Sequence, residues 1–282
     1  MSDLIFSCST NNPKFLAQAL MAVAWKDQED QLCSASVSND GILILTEDST
    51  TIQASVLLRA GLFQNYTLVR EENFEFRINL TKFVKCIKLF SETATELEIR
   101  SKNDAEIQVE ITDGLSTTNC TIRTLYYPTA QVNNMTLSKA FSAPDSVEVA
   151  SFMIRSSIVK EMFVLPDATT KNTVPIKMVI DAVARLFEVK MEGGFGTVRS
   201  TMDFGLLMAQ RPKFDLCEPF EACYPISSLV PVLKAMALSS ETSFRFKGNG
   251  MLSIQQAISN QAAGSVETVV EFILQPLEDN TL

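Results

Sequence analysis

Three stretches near the middle of the chain, Glu96–Arg100, Glu106–Ile111 and Thr117–Leu125, alternate apolar with polar residues. A period of two marks half-buried antiparallel strands. Leu32–Val37 and Ile42–Thr46 repeat it around Ser38-Asn39-Asp40-Gly41, a strong hairpin turn. Thr51–Leu57 continues the strands, and Leu68–Val69 with Phe74–Ile78 reads as a second hairpin around Glu71-Glu72-Asn73. Later in the chain, Val147–Phe152, Val174–Ile180, Val183–Met191, Gly196–Asp203, Thr242–Lys247, Met251–Ile258 and Val266–Leu274 are also strand-like. Such a chain must stack one face of its sheets against something apolar, and its few helices are the available cover.

Four helices are expected. Asn11-Asn12-Pro13 starts one that runs to about Trp25, with Phe15, Leu16, Leu20 and Val23 facing inward. Asn79–Phe90 is a second. Ser156–Leu165 is a third, with Ile158, Met162 and Phe163 inward and Lys160 outward. Ser227-Ser228 caps a fourth, which runs to about Leu238 with Pro231 in its first turn. With Leu4–Cys8 as the opening strand of the first half, each half then reads as strand, helix, several strands, helix, three strands, which is an internal duplication. The expected organisation is a first domain over 1–125, a connector over 126–146, and a second domain over 147–282. The connector contains Pro128, Asn133, Asn134 and Pro144 and has few periodic apolar positions, yet with Tyr126, Tyr127, Val132, Met135, Leu137 and Phe141 it is too apolar for a free linker.

The second helix carries the functional signal. At about 100° per residue, Leu80, Phe83, Val84, Ile87 and Phe90 share one side, and Lys82, Lys85 and Lys88 share the other. The chain as a whole has 24 Lys+Arg against 33 Asp+Glu, a formal charge of -9. An all-cationic helix face is thus a local exception, suited to phosphate or simply to water. There is no histidine, which removes Ser-His-Asp and Cys-His catalysis and His-ligated zinc. No carboxylate cluster stands out for metal catalysis, so no catalytic residue, metal or cofactor is expected. Six scattered cysteines without CxxC spacing suit reduced thiols. Neither a signal peptide nor a membrane span is expected. If all four helices lie on one face of the sheets, then Lys160 and Lys234 join the three lysines of the second helix.

Two stretches carry a resemblance to a known family. RAGLFQNY and FRINLTKFVKCIKLF, within Ile42–Phe90, and ACYPISSLVPVLKAMALSSETSFRFKGNGMLSIQQ, from Ala222 to Gln256, resemble the sliding clamps of the proliferating-cell-nuclear-antigen (PCNA) type. Within these clamps they are similar to the Rad-one subunits of the heterotrimeric DNA-damage checkpoint clamp. The resemblance implies an α+β fold of two similar PCNA-like DNA-clamp domains, with antiparallel sheets outside and four helices lining the inner face of a ring. It implies that Lys85, Lys88, Lys160 and Lys234 face DNA, with Lys82 extending the surface. The first helix departs from the pattern, with only Lys14 inside it. Ring closure is implied between edge strands, here about Ser116–Thr124 and Gly196–Asp203. A partner-peptide pocket is implied at Ile52, Tyr126, Val132, Met135, Leu274 and Pro276, although these apolar residues equally suit packing of the connector on the sheet.

The implied function is a nuclear clamp subunit that encircles duplex DNA at damage or stalled forks, independent of sequence. It would serve as a platform for checkpoint kinase activation and DNA repair factors. Implied partners are Rad-nine-like and Hus-one-like subunits, a clamp loader, and repair and checkpoint factors, with no membrane and no enzymatic activity. The alternatives are a homotrimeric replicative clamp, a 3′–5′ exonuclease and a β-rich protein with no nucleic-acid role.

Overall fold

The computed structural model describes residues 4–25, 30–48, 51–88, 94–125, 136–163, 175–193, 196–207, 213–216, 218–259 and 267–278. The chain divides into two compact units, one of residues 1–47, 54–134 and 258–270, the other of 48–53, 135–257 and 271–282.

In the first unit the elements are β1 (Phe6–Thr10), α1 (Pro13–Ala22), β2 (Leu32–Ser38), β3 (Gly41–Asp48), β4 (Ile52–Arg59), β5 (Asn65–Leu68), β6 (Phe74–Asn79), α2 (Leu80–Lys88), β7 (Glu96–Asn103), β8 (Glu106–Thr112) and β9 (Thr117–Arg123). One sheet has the order β5-β1-β7-β8-β9, and a second run of neighbours is β4-β3-β2-β6. Helix α1 begins where expected because Asn12 Oδ1 accepts from Phe15 N at 3.1 Å and Pro13 occupies the first turn, where its missing N–H costs nothing. Leu16 and Leu20 of α1, Phe83 of α2, and Phe6, Ile44, Ile78 and Ile99 from both sheets enclose one small apolar space, so helices and sheets share a core.

The hairpin at Ser38–Gly41 forms as expected, with Ser38 opposite Gly41. Gly41 has φ 144°, and a Cβ there would stand 2.2 Å from the Leu58 carbonyl oxygen, so the turn accepts only glycine without displacement of β4. The second expected hairpin does not form. β5 pairs with β1 and β6 with β2, so the residues around Glu71-Glu72-Asn73 join two different sheets. A turn sequence fixes a reversal of direction, whereas the partner of each strand is chosen by distant residues.

The second unit contains α3 (Thr136–Phe141), β10 (Glu148–Arg155), α4 (Ser156–Met162), β11 (Pro175–Asp181), β12 (Leu186–Gly193), β13 (Gly196–Asp203), α5 (Phe204–Leu207), β14 (Lys213–Leu216), β15 (Phe220–Pro225), α6 (Ile226–Met236), β16 (Glu241–Lys247) and β17 (Leu252–Ser259), followed by β18 (Glu267–Leu274). One run of neighbours is β14-β10-β16-β17, and a four-stranded sheet has the order β13-β12-β11-β15. These orders repeat β5-β1-β7-β8 and β4-β3-β2-β6 of the first unit, with α4 after β10 as α1 follows β1, and α6 after β15 as α2 follows β6. The duplication read from the sequence is therefore present in the topology. The core here is aromatic: the Phe152 ring lies 5.2, 4.9, 4.9 and 5.8 Å from those of Phe187, Phe204, Phe244 and Phe246.

Several expected boundaries shift. Val183–Arg185 is a turn and not strand, because Asp181 Oδ1 accepts from Val183 N and Ala184 N at 3.0 and 2.8 Å. Met162 and Phe163 are buried as expected, but the third inward residue at α4 is Val159, fully buried, in place of Ile158, which is half-buried. Helix α6 starts at Ile226, directly after β15, so Pro231 lies inside it and not in its first turn. The connector region ends in a helix, α3, whose Leu137 and Phe141 follow the i, i+4 spacing of one helix face.

Candidate nucleic-acid interface

Helix α2 is amphipathic as its sequence requires. Leu80, Phe83, Val84 and Ile87 are buried, while Lys82, Lys85 and Lys88 are exposed. Burying each large apolar side chain contributes about 1.5–3 kcal/mol, whereas Thr81, Val84 and Ile87 each cost a few tenths in helix propensity. Packing therefore decides the helix and leaves the lysines on the remaining face. Phe90 lies outside the described residues. Asn79 supplies the cap, its Oδ1 accepting from Lys82 N at 2.9 Å.

Gln31, 4% exposed, ties the start of α2 to the end of α1. Its N–H donates to Thr81 Oγ1 at 3.0 Å and its carbonyl accepts from Leu80 N at 2.8 Å. Its side chain donates to the Val23 carbonyl at 3.0 Å, which also accepts from Thr46 Oγ1 at 3.1 Å. Helices α1 and α2 pack directly on each other. Asp30, next in the chain, reaches Lys82: its Oδ2 is 3.2 Å from Lys82 Nζ, with both side chains about two-thirds exposed at 65% and 67%. Hydrogen bonds from the Asn79 side chain and Lys82, together with the charges of Lys82 and Lys85, hold the Asp30 carboxyl below the usual range.

In the second unit, α4 and α6 pack as a pair. Val159 and Met162 of α4, and Leu229, Val232 and Ala235 of α6, face inward, while Lys160 and Lys234 are exposed. Gln256, buried on β17, donates to the Val232 carbonyl at 3.0 Å and fastens α6 to its sheet.

The terminal strands of the sheets differ in length and cover. β5 and β14 have four residues each. β6 is bridged by Leu125 at Arg77, and β15 accepts Leu277 N at the Cys223 carbonyl, 2.8 Å away. β9 and β13, with seven and eight residues, end their sheets, and among the described residues no strand pairs with their outer sides. Gly193 stands opposite Gly196 where β12 and β13 pair.

The proposed peptide pocket divides. Tyr126, Val132 and Met135 lie outside the described residues. Ile52 and Leu274 are 3% and 0% exposed, so both are core positions and neither offers a side chain to a ligand. Pro276 lies over Gly250 beside a groove of about 650 Å³ that Pro175, Lys177, Glu221 and Leu277 also line. The sequence reading expects an apolar connector but not the helix α3 within it. Leu137 and Phe141 form a buried cluster with Met251 and Ile273, and Arg245 and Lys247 lie 5.4 and 5.0 Å from the Phe141 ring. Gln53 fixes α3 by accepting from Ser138 N at 3.2 Å and donating to Ser138 Oγ. Among the described residues no group of three or more His, Cys, Asp or Glu side chains is placed to hold a metal ion, and no helix is long and apolar enough to cross a membrane.

A duplicated α+β unit, with a helix pair in each copy and lysines on the helix faces that the core leaves to solvent, is the architecture of a DNA-clamp subunit. Residues 5–258 match the family described as Repair protein Rad1/Rec1/Rad17, and the chain belongs to that family. Cell cycle checkpoint protein RAD1 of Homo sapiens is 27% identical over 266 residues, which cover 90% of this chain and 86% of that protein. The proteins of that name from Pongo abelii and Mus musculus show the same identity and coverage.

Proposed function

We propose that the chain is one subunit of a heterotrimeric ring that encircles duplex DNA in the nucleus and serves checkpoint signalling and repair without catalysing a reaction. The observation that carries the reading is the pair of long terminal strands, β9 and β13. An open edge of that length is an aggregation hazard unless it is paired, and two such edges on one chain suit a ring in which each subunit pairs with two neighbours. Partners of the Rad-nine and Hus-one types would supply the opposing edges, and a clamp loader would open the ring.

In this reading the domains are 1–125 and 147–282, joined by 126–146. Lys82, Lys85, Lys88, Lys160 and Lys234 meet phosphates and give attraction without reading bases. The overall charge of -9 discourages DNA elsewhere on the surface. Of the six residues assigned to a partner-peptide pocket, the half-buried Pro276 beside its groove is the one described position whose apolar surface is partly open to a ligand. The checkpoint name of the relatives favours this reading over a self-assembling replicative ring or a 3′–5′ exonuclease.

The test is the mass of the purified chain by light scattering, alone and with Rad-nine-like and Hus-one-like subunits. A monomer that enters a 1:1:1 complex is expected. A trimer of the chain alone would refute the heterotrimeric assignment.

A further inference from the structure

The start of α2 contains a feature that the DNA reading does not use. Asp30 lies against Lys82, on the cationic face itself. Its position is fixed by the backbone, since the next residue, Gln31, is bonded through both its N–H and its carbonyl to the first turn of α2. The Asn79 amide that caps the helix also donates to the Asp30 carboxylate. The carboxylate is thus held over the helix start by Asn79 and Lys82, while its backbone is anchored through Gln31 to the first turn of α2. Both members of the pair are largely exposed, so the pair contributes little to stability and stands where a phosphate would approach.

We propose that Asp30 is a built-in counter-charge that withholds Lys82 from DNA phosphate, so that the ring holds duplex DNA more weakly, and slides more freely, than its lysines alone would allow. The inference rests on the DNA-facing reading of α2. A phosphate that reaches Lys82 meets an ammonium whose charge is already offset by a carboxylate in hydrogen-bonding contact, and that carboxylate repels the incoming anion. Removing that charge gives the phosphate one more cation. One additional neutralised phosphate steepens the salt dependence by about 0.9 in the log–log slope, which is roughly an 8-fold gain in affinity at 0.1 M salt.

The experiment uses the full chain in its assembled ring and a labelled 30-base-pair duplex of mixed sequence, with binding followed by fluorescence anisotropy across a salt series. Asp30→Asn, which keeps the size and the hydrogen bond to Asn79, is expected to tighten binding by about 8-fold at 0.1 M and to steepen the slope by about 0.9. The gain is expected to be absent in Asp30→Asn combined with Lys82→Ala. Asp30→Asn with no gain, or a gain that persists when Lys82 is removed, overturns the proposal. Lys85→Ala with Lys88→Ala separates the two readings. If that ring holds DNA as tightly as the wild type, the DNA-facing assignment itself fails. If it binds more weakly while Asp30→Asn has no effect, only the role of Asp30 fails.

Discussion

Replacing Thr81 by Val isolates the hydrogen bond that seats α2. The two side chains have nearly the same shape, so packing of the 7% exposed site is preserved. What is lost is the hydroxyl oxygen that accepts the buried Gln31 N–H at 3.0 Å. Withdrawing an acceptor from a buried donor costs about 1–3 kcal/mol. With a urea dependence of about 2 kcal/mol per molar for a unit of this size, a 2 kcal/mol loss moves the midpoint by about 1 M. The single tryptophan, Trp25, follows α1 in the first unit, so its fluorescence reports that unit. Thr81→Val should lower the tryptophan-detected midpoint by about 1 M, and Thr81→Ser, which keeps the oxygen, should recover most of the loss. Equal losses in Val and Ser would mean that the methyl group and not the hydrogen bond matters, and would refute the role given to Gln31.

Other expectations follow from the same geometry. Phe152→Ala should cost about 3–5 kcal/mol, seen as a fall in the denaturation midpoint of the second unit by near-ultraviolet circular dichroism. Gly41→Ala should lower the melting temperature through a loss of roughly 1–3 kcal/mol, because its Cβ meets the Leu58 carbonyl. Burial pushes the thiols of Cys33 and Cys86 from an ordinary 9.0 up to about 12. The folded chain therefore keeps these protons after the unfolded chain releases them, and stability should fall as pH rises from about 9 towards 12, measured by urea titration at each pH. Among the cysteines of the described residues, the buried Cys8, Cys33 and Cys86 should resist alkylation in the folded state, and the half-exposed Cys120 and Cys223 should react before them by mass spectrometry.

Much of this was legible where physics is local. The 3.6-residue period separated Leu80, Phe83, Val84 and Ile87 from Lys82, Lys85 and Lys88, and the packing agrees residue by residue. Asn12-Pro13 and Ser38–Gly41 act through their own backbone, and both signals hold. The failures are non-local or depend on geometry. β5 and β6 looked like one hairpin because nothing in the local sequence names β1 and β2 as their partners. Val183 looked like strand because its apolar side chain conceals the Asp181 turn. Pro231 was placed in a first turn because Ser227-Ser228 resembles a cap, yet α6 begins at Ile226 without a side-chain cap. The contacts of Gln31 and Asp30 to α2 could not be read from the sequence, since their partners are some fifty positions away.

The composition of the two open strands bears on how a ring would come apart. β9, with the sequence TTNCTIR, has Arg123 as its one charged residue, and on β13 Arg199 is already paired with Glu188 while Asp203, at the strand's last position, accepts from Gly205 N. Joints made along such edges draw on backbone hydrogen bonds and neutral side chains, which mobile ions screen little. The grip of lysines on phosphate is, by contrast, the interaction most sensitive to ionic strength. Moderate salt should therefore loosen the ring from its track while leaving it closed, so that a loaded clamp would leave linear DNA by running off an end and would stay topologically linked to a circle.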